Sequence, residues 1–327
     1  MNTSPLPHDG PAPATGEAHV LVLSGGLSHE RDVSIKSGRR VAQVLRSAGF
    51  EVTLGDVDTN LLPFVQQTQP DVVWPLLHGS TGEDGSLTDL LSLTGVPFIG
   101  SEATGARVSW SKPIAKAVVA RAGGTTPRLT TFTQALFRDV GAPGILELVS
   151  SHFTFPLVVK PASGGSALGV SVVDAPEHLP HAMVSAFAYD DVVMVEEFVD
   201  GIEVAVSVVD FGSGPLALPA VEIDTEGAYD YDARYNAGRS EYFVPARLDE
   251  TQLKSAERLA ILAHEELGLR HYSRSDMRIT VDGAAHFLEV NTAPGMTETS
   301  LFPQAAEASS YGIQRVYRSL VDVAMKL

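Results

Sequence analysis

Short apolar runs that end in glycine or proline flank an amphipathic segment near the start of the chain. The run HVLVLSGG after Ala18 predicts a strand, and EVTLGDVD and DVVWPLLHG predict two more, the last ending early at Pro75. Between the first two strands, apolar residues recur at helical spacing: Ile35, Val41, Val44, Leu45 and Ala48. This order of strand, helix, strand and strand predicts a doubly wound α/β unit, which GVPFIGS closes near residue 101.

Beyond residue 104 the pattern predicts two further lobes. VSWSKPIAKAVVARAG predicts one helix, and a joint rich in Pro and Thr follows at 125–131. The strand FPLVVKPA leads into the glycine loop SGGSALG, and a helix near 176–188 precedes the strand VVMVEEFV. Strands, a polar aromatic loop at 226–243, a helix, a hairpin and a C-terminal helix complete the chain. The predicted domains are an N-terminal α/β domain at 18–104, a central lobe at 105–200 and a more β-rich lobe at 201–327.

Composition excludes several classes of protein. The length of 327 residues is about twice the ~150 residues of one domain, so two or three lobes are expected. With 23 Lys and Arg against 40 Asp and Glu, the net charge of −17 argues against binding of nucleic acid or of an anionic membrane. No apolar run approaches the ~18 residues that span a bilayer.

Two further features concern location. The absence of cysteine excludes disulfides, thiolate nucleophiles and cysteine-based metal sites, and it fits a cytoplasmic protein. Residues 1–17 are rich in Pro, Gly, Ala and Thr and lack the apolar core of a signal peptide. They predict a disordered tail.

The segment YSRSDMRITVDGAAHFLEVNTAPGM predicts a hairpin, because Asp-Gly between two alternating runs is a strong two-residue turn signal. A turn at those two residues places Asp276 opposite Glu289 and Arg274 opposite Asn291, all on one face. Two facing carboxylates destabilise a sheet unless they are neutralised. A divalent cation would neutralise them, and oxygen ligands suit Mg²⁺ rather than zinc.

The alternative for this hairpin is a solvated face on which Arg274 and Arg278 balance the acids. The residues that follow, Asn-Thr-Ala-Pro-Gly-Met, favour a site, because such irregular loops at strand ends often carry function. The glycine loop after Lys160 adds to this, since glycines let backbone N–H groups approach a phosphate and the lysine supplies charge. It matches neither a Walker A motif nor GxGxxG, and alone it is more often a flexible turn. Together with the hairpin it predicts a Mg–nucleotide site.

Five groups of residues occur in order between Ala18 and the C-terminus: GGLSHERDVS at 25–34; LHG at 77–79 with GEDG at 82–85; KP at 160–161 with GS at 165–166; EVNT at 289–292 with PGMT at 294–297; and SL at 300–301. In these groups the chain resembles the D-alanine–D-alanine ligase family of the ATP-grasp superfamily. The resemblance implies an α/β protein of ATP-grasp architecture: an N-terminal doubly wound α/β domain, then two α+β lobes with ATP between antiparallel sheets.

The resemblance also implies a reaction in two steps. The carboxylate of a first D-alanine attacks the γ-phosphate of ATP to give an acyl phosphate. The amine of a second D-alanine then displaces phosphate, and the dipeptide supplies peptidoglycan synthesis. A homodimer is implied, and the polar loop at 226–243 is expected to be a mobile lid.

The roles that the resemblance implies at the reacting end concern both amino acids. Glu30 would hold the first ammonium, with Ser166 and Tyr235 hydrogen-bonded to it. A favourable helix dipole would keep Glu30 ionised. The other implied residues are Arg274 and the Gly295 N–H at the oxyanion, Ser300 and the Leu301 N–H at the second carboxylate, and His78 at the substrate. Alternatives are a ligand-free carboxylate for Glu30, a surface aromatic for Tyr235 and a structural strand-end histidine for His78.

The implied roles at the nucleotide concern phosphates, adenine, ribose and metal. Lys112 and Lys160 would contact phosphates, and Arg234 the γ-phosphate; Glu196 and the backbone after it, at Glu197 and Val199, would meet adenine and Glu203 the ribose. Ser166 is also expected at the ATP site, and Asp276, Glu289 and Asn291 would bind two Mg²⁺ ions, for which Mn²⁺ is expected to substitute. Lys116 is interpreted as a solvated helix charge.

Several positions depart from the family pattern. Ala167 replaces a second serine, Arg234 and Glu197 replace lysines, Thr88-Asp89 replaces Gln-Gly, and Ser111 replaces aspartate. These departures concern substrate tuning more than ATP chemistry, and they leave open a ligase that joins other amino acids in a secondary pathway. A regulatory nucleotide-binding protein need not retain Arg274, Asp276, Glu289, Asn291 and Gly295. A periplasmic amino-acid binder would need a signal peptide.

Overall fold

The N-terminal lobe is built on a parallel sheet. A computed structural model of the protein describes residues 18–225 and 240–326. The sheet has the order β2-β1-β3. Its elements are β1 (His19–Ser24), α1 (Arg31–Ser47), β2 (Glu51–Asp56), α2 (Leu61–Thr68), β3 (Val72–Pro75), α3 (Ser80–Glu83) and α4 (Ser86–Ser92). Val20 and Val22 pack in one core and Leu21 and Leu23 in another, so β1 is buried on both faces, as a doubly wound sheet requires.

The central lobe carries an antiparallel sheet of order β4-β7-β5-β6. Its elements are α5 (Ala103–Trp110), α6 (Lys112–Arg121), β4 (Leu129–Thr133), α7 (Gln134–Val140), α8 (Ala142–His152), β5 (Leu157–Pro161), β6 (Ser171–Val173), a 3₁₀ turn (Pro176–His178), α9 (Leu179–Phe187) and β7 (Val192–Glu197).

The single helix predicted over VSWSKPIAKAVVARAG is wrong, because the chain breaks at Ser111. This residue has the extended conformation φ −87°, ψ 100°. Pro113 explains the break: proline has no N–H to donate and is tolerated only in the first turn of a helix. The break makes Lys112 the first residue of α6. The predicted domain boundary after residue 104 falls within α5.

The C-terminal lobe carries a larger antiparallel sheet, of order β11-β10-β8-β12-β13, with β9 paired to β8. Its elements are β8 (Ile202–Asp210), β9 (Pro215–Ala217), β10 (Val221–Thr225), β11 (Ser240–Phe243), α10 (Glu250–Glu266), β12 (Tyr272–Ile279), β13 (Ala285–Asn291), α11 (Leu301–Ala308) and α12 (Gly312–Ala324). The predicted loop at 226–243 is therefore wrong for 240–243, which pair with β10. The rest of the predicted loop, at 226–239, lies outside the described residues, and so does most of the predicted lid. The predicted tail at 1–17 also lies outside them. The C-terminus forms two helices rather than the one predicted.

An aromatic cluster joins the N-terminal and C-terminal lobes. The Trp74 indole N–H donates to the Tyr272 hydroxyl at 3.2 Å, and the indole packs edge-on against the rings of Tyr272 and Tyr317. One continuous core thus contains β1, β3 and α1 together with β8, α11 and α12. Among the helices of the described residues, none is long and apolar enough to cross a membrane.

Candidate active site

A cavity of about 480 Å³ lies between the two antiparallel sheets. That volume is in the range of small-molecule sites. Its walls include most of the residues predicted to contact ATP: Lys112, Lys160, Glu196, Glu197, Val199 and Glu203, together with Asp276 and Glu289. Arg234 lies outside the described residues.

The glycine loop between β5 and β6 forms one end of this cavity. Ser166 and Ala167 both have left-handed backbones, with φ values of 54° and 55°. This conformation costs a non-glycine residue roughly 1–2 kcal/mol, so contacts must hold the loop in place. The Lys112 ammonium donates to the Gly164 carbonyl at 2.6 Å, and the Ser163 N–H donates to the Asp190 carboxylate at 2.8 Å. The Ser166 hydroxyl donates to the Glu30 carboxylate, which ties the loop to the N-terminal lobe.

Glu196 is enclosed by two lysines. Its Oε1 lies 2.6 Å from Lys160 Nζ and its Oε2 lies 2.8 Å from Lys116 Nζ. Burial opposes ionisation of Glu196, but the two ammonium groups outweigh it and hold the pKa of this carboxyl below its usual value. The interpretation of Lys116 as a solvated helix charge is wrong: its side chain is fully buried, because α6 packs against β13 and the Lys116 ammonium reaches Glu196 on β7.

Two other acidic residues at the cavity pair with arginines. The Glu197 carboxylate lies 2.8 Å from Arg128 at the surface. The Glu203 carboxylate accepts from Arg278 at 2.6 Å, across the pair of strands β8 and β12. The alternative interpretation of the hairpin assumed that Arg278 balances its paired acids. Arg278 instead pairs with Glu203.

The hairpin of β12 and β13 has the predicted register at its functional end but a different turn. Asp276 is paired with Glu289 and Arg274 with Asn291, as predicted. The two-residue Asp-Gly turn is wrong, because Thr280 N–H donates to Ala284 O and leaves three residues in the loop. A β-bulge beside Asp276 inserts one extra residue in β13, so the two irregularities offset each other.

The bulge explains an additional lining residue. Leu288, which the sequence reading did not select, lines the cavity beside Glu289. A regular strand would direct these neighbours to opposite faces, whereas a bulge allows both to face the same side.

The predicted metal ligands present an oxygen donor set. Both carboxylate oxygens of Asp276 accept from Arg274, at 2.7 and 2.8 Å. Glu289 Oε2 lies 3.4 Å from Lys112 Nζ, and Asn291 Oδ1 accepts from the Ala293 N–H at 2.9 Å. Arg274 and Asp276 are only 7% and 6% exposed, so the alternative is wrong in placing them on a solvated face, although Arg274 does balance Asp276 as that alternative expected. Two carboxylates and an amide oxygen suit Mg²⁺, and their charges are balanced by basic neighbours.

A smaller cavity of about 70 Å³ adjoins the first and gathers the residues predicted to bind and activate amino acids. These are Glu30, His78, Ser166, Arg274, Gly295, Ser300 and Leu301. Tyr235 lies outside the described residues. Three of them stand where an element begins or ends: Glu30 is the N-cap of α1, His78 follows β3, and Ser300 is the N-cap of α11.

Glycine at position 295 leaves room for Ser300. A Cβ on Gly295 would lie 2.8 Å from the Ser300 hydroxyl oxygen. That hydroxyl also accepts from the Thr297 N–H at 3.0 Å. The exit loop from β13 is thus fitted closely against the start of α11.

Glu83 is a buried acidic residue of the small cavity that the sequence reading quoted only as part of the motif GEDG. Burial raises the pKa of Glu83 to about 8, and the nearby charge of Glu30 adds to the effect. His78 Nδ1 donates to the Ala293 carbonyl at 2.9 Å and lies 3.9 Å from Glu83. Burial lowers the pKa of His78, so a neutral histidine and a neutral carboxyl group sit side by side at pH 7.

Comparison with known proteins places this site in a family. Residues 118–322 match the family model described as D-ala D-ala ligase C-terminus. The chain is 38% identical to the D-alanine–D-alanine ligase of Geotalea uraniireducens, over 94% of this chain and 96% of that protein. It is 37% identical to the ligase of the same name from Aquifex aeolicus, over 92% of this chain and 99% of that protein.

Solved structures agree with these relatives. The D-alanine–D-alanine ligase of Bacillus anthracis has a TM-score of 0.80 at 27% identity, covering 94% of this chain and 98% of that one. A VanG D-Ala:D-Ser ligase from Enterococcus faecalis also has a TM-score of 0.80, at 25% identity, covering 94% of this chain and 100% of that one. The fold and the similarity over nearly the whole chain agree. The chain belongs to the D-alanine–D-alanine ligase family.

Proposed function

We propose that the protein uses ATP to join two D-alanines, giving D-alanyl-D-alanine, ADP and phosphate. One observation carries the proposal: the small cavity with Glu30, Arg274 and Ser300 opens beside the cavity with Lys112 and Lys160. An amino acid held by its ammonium group at Glu30 would point its carboxylate toward a γ-phosphate beside the two lysines.

The first step depends on positioning and on charge neutralisation, as phosphoryl transfer generally does. The Glu30 carboxylate binds the ammonium of the first D-alanine, and the hydrogen bond from the Ser166 hydroxyl orients the Glu30 side chain. Lys112 and Lys160 take the charge of the phosphates. Asp276, Glu289 and Asn291 would hold Mg²⁺, and the family resemblance implies two ions, for which Mn²⁺ could substitute. When bound, these ions would neutralise phosphate charge.

The second step needs a site for a carboxylate and a site for an oxyanion. Ser300 and the Leu301 N–H begin α11, and a helix N-terminus favours an anion such as the carboxylate of the second D-alanine. Its amine attacks the acyl phosphate, the carbonyl oxygen becomes negative, and Arg274 and the Gly295 N–H stabilise that oxygen until phosphate leaves. By the same resemblance, Tyr235 would support Glu30 and Arg234 would contact the γ-phosphate.

The identity of the second amino acid is the part of the proposal that most needs a test. The VanG structure belongs to a D-Ala:D-Ser ligase, and Ala167 and Arg234 depart from the family pattern in this chain. We favour D-alanine because the curated relatives at 34–38% identity all carry the name D-alanine–D-alanine ligase. A homodimer, a cytoplasmic location and a role in peptidoglycan precursor synthesis complete the proposal.

The test is an assay of the purified chain with Mg-ATP against a panel of D- and L-amino acids, with phosphate release and product mass both measured. D-alanine should give the fastest phosphate release and a product with the mass of the dipeptide. Phosphate release that shows no preference for D-alanine would overturn the assigned substrate.

A further inference from the structure

Helix α6 places two lysines one turn apart on the same face, and each reaches a different part of the nucleotide cleft. Residues four apart in a helix are neighbours on its surface. Lys112 contacts Glu289 on β13, at 3.4 Å. Lys116 contacts Glu196 on β7, at 2.8 Å, and also donates to the Phe287 carbonyl on β13 at 3.0 Å. Lys116 therefore links the sheet of the central lobe to the sheet of the C-terminal lobe.

The two lysines beside Glu196 differ in what else they can reach. Lys160 lines the large cavity and is one of the residues placed at the phosphates. Lys116 is not part of the cavity wall, and its side chain has no exposed surface. Only Lys160 can therefore meet a phosphate, whereas Lys116 can meet only protein groups.

We propose that Lys116 is a positioning residue of the nucleotide cleft: it is the permanent counter-ion of Glu196 and leaves Lys160 available to phosphate. The inference rests on the proposed function, since it assumes that ATP lies in this cleft.

The physical reason is the cost of an uncompensated buried charge. The Glu196 carboxylate is 2% exposed, and a carboxylate so enclosed is strongly destabilised unless a partner compensates it. With Lys160 as its only partner, a triphosphate would compete with Glu196 for one ammonium group. With Lys116 present, the Glu196 carboxylate stays compensated, so Lys160 can contact a triphosphate as well as Glu196 with little loss of free energy. Burial lowers the pKa of Lys116 to about 8, so its ammonium form prevails at neutral pH.

The second contact of Lys116 gives its position a further consequence. Phe287 directly precedes the bulge that brings Leu288 and Glu289 to the cavity. An ammonium group that holds both Glu196 and the Phe287 carbonyl fixes the distance between the adenine end of the cleft and that bulge.

The test compares Lys116→Met, Glu196→Gln and the double variant with the wild-type chain, using Lys254→Met as the matched control. Lys254 pairs with Glu250 on the exposed surface of α10. Lys116→Met should raise the KM for ATP at least about tenfold, equal to about 1.4 kcal/mol, with the KM for D-alanine unchanged. In the Glu196→Gln background the same change should raise the KM for ATP less than about threefold, because the charge to be compensated is gone. Lys254→Met should match the wild type.

Each other outcome has a defined meaning. An equal rise in both backgrounds would make Lys116 a packing residue only, and no rise in either would remove it from nucleotide binding; both overturn the inference. If Lys116→Met fails to fold while the double variant folds, the uncompensated charge is the cause and the inference is supported. If both fail to fold while Glu196→Gln folds, the inference is overturned. If the wild-type chain neither binds ATP nor releases phosphate with D-alanine, the proposed function fails and the inference fails with it. If the wild type is active and only the variants behave differently from expectation, the inference alone fails.

Discussion

Arg274 connects the two cavities, since it lines the small one and holds Asp276, which lines the large one. Its guanidinium donates from Nε and Nη2 to both oxygens of Asp276. This fork fixes the orientation of the side chain, and a lysine could not reproduce it.

Replacing Arg274 should lower turnover and also destabilise the fold, because it leaves the buried Asp276 carboxylate without its partner. We expect Arg274→Met to lower kcat at least about 100-fold, the usual loss on removal of one oxyanion donor. Arg274→Lys should recover only part of this activity, because it keeps the charge without the fork. The measurement is D-alanine-dependent phosphate release, with Arg107→Met, a change in an exposed ion pair, as the control. Near-normal turnover in Arg274→Met would exclude Arg274 from the mechanism.

Lys116 and Glu83 show what residue-level reading of the sequence could not reach. Lys116 reads as an ordinary helix charge, because nothing in KPIAKAVVAR indicates that its side chain is buried between Glu196 of β7 and the Phe287 carbonyl of β13. Glu83 lies in a quoted motif, but its burial near Glu30 depends on how α3 packs against α4 and α5. For both residues the missing information is the tertiary environment, which decides whether a charge is solvated or buried.

At the scale of elements, the sequence predicted which residues of the hairpin face each other, but neither the length of its turn nor its bulge. Period-2 alternation from a two-residue turn paired Asp276 with Glu289 and Arg274 with Asn291 correctly, because the longer turn and the bulge beside Asp276 shift the register by equal and opposite amounts. The Asp-Gly pair predicted the position of the turn but not its three-residue length, and the bulge leaves no mark in the hydrophobic pattern. The helix break at Ser111 could have been predicted, since Pro113 is a strong local signal.

The exit loop after β13 packs against the start of α11, and Gly295 leaves no room there for a Cβ. Gly295→Ala would place a Cβ within 2.8 Å of the Ser300 hydroxyl and should displace it. Loss of a hydrogen bond to a charged carboxylate should raise the KM for the second D-alanine about tenfold.

The control for that prediction is the same change in a Ser300→Ala background. There the hydroxyl is absent, so the added methyl group should cause little further change. An equal effect in both backgrounds would mean that Gly295→Ala acts through the backbone and not through Ser300.

At the scale of the whole molecule, the Trp74 and Tyr272 pair tests how far the lobes depend on each other. Tyr272→Phe removes the acceptor of the indole N–H, which is fully buried. We expect the free energy of unfolding to fall by about 1–3 kcal/mol, the usual cost of a buried unpaired donor. Urea unfolding would measure it, and an unchanged midpoint would contradict the role of this hydrogen bond.

Two buried histidines at the joint between the lobes make the whole molecule sensitive to acid. His271 Nδ1 accepts from the Gly100 N–H at 2.9 Å, and His264 Nδ1 lies 2.8 Å from the Ser273 hydroxyl. Burial lowers the pKa of His264 to about 4, and burial with the charge of Arg270 lowers the pKa of His271 to about 3. Both rings are therefore neutral in the folded protein above about pH 5.

In the unfolded chain the same rings take up protons near their ordinary pKa of 6.5. Between pH 6.5 and about 4 the unfolded chain holds more protons, so the free energy of unfolding must fall as the pH falls. The slope is at most about 1.4 kcal/mol per pH unit for each histidine. His271→Asn should flatten this slope, because an amide oxygen can still accept from the Gly100 N–H and asparagine tolerates the left-handed φ of 66°. Urea midpoints at a series of pH values would measure it, and equal slopes in both proteins would mean that acid acts elsewhere.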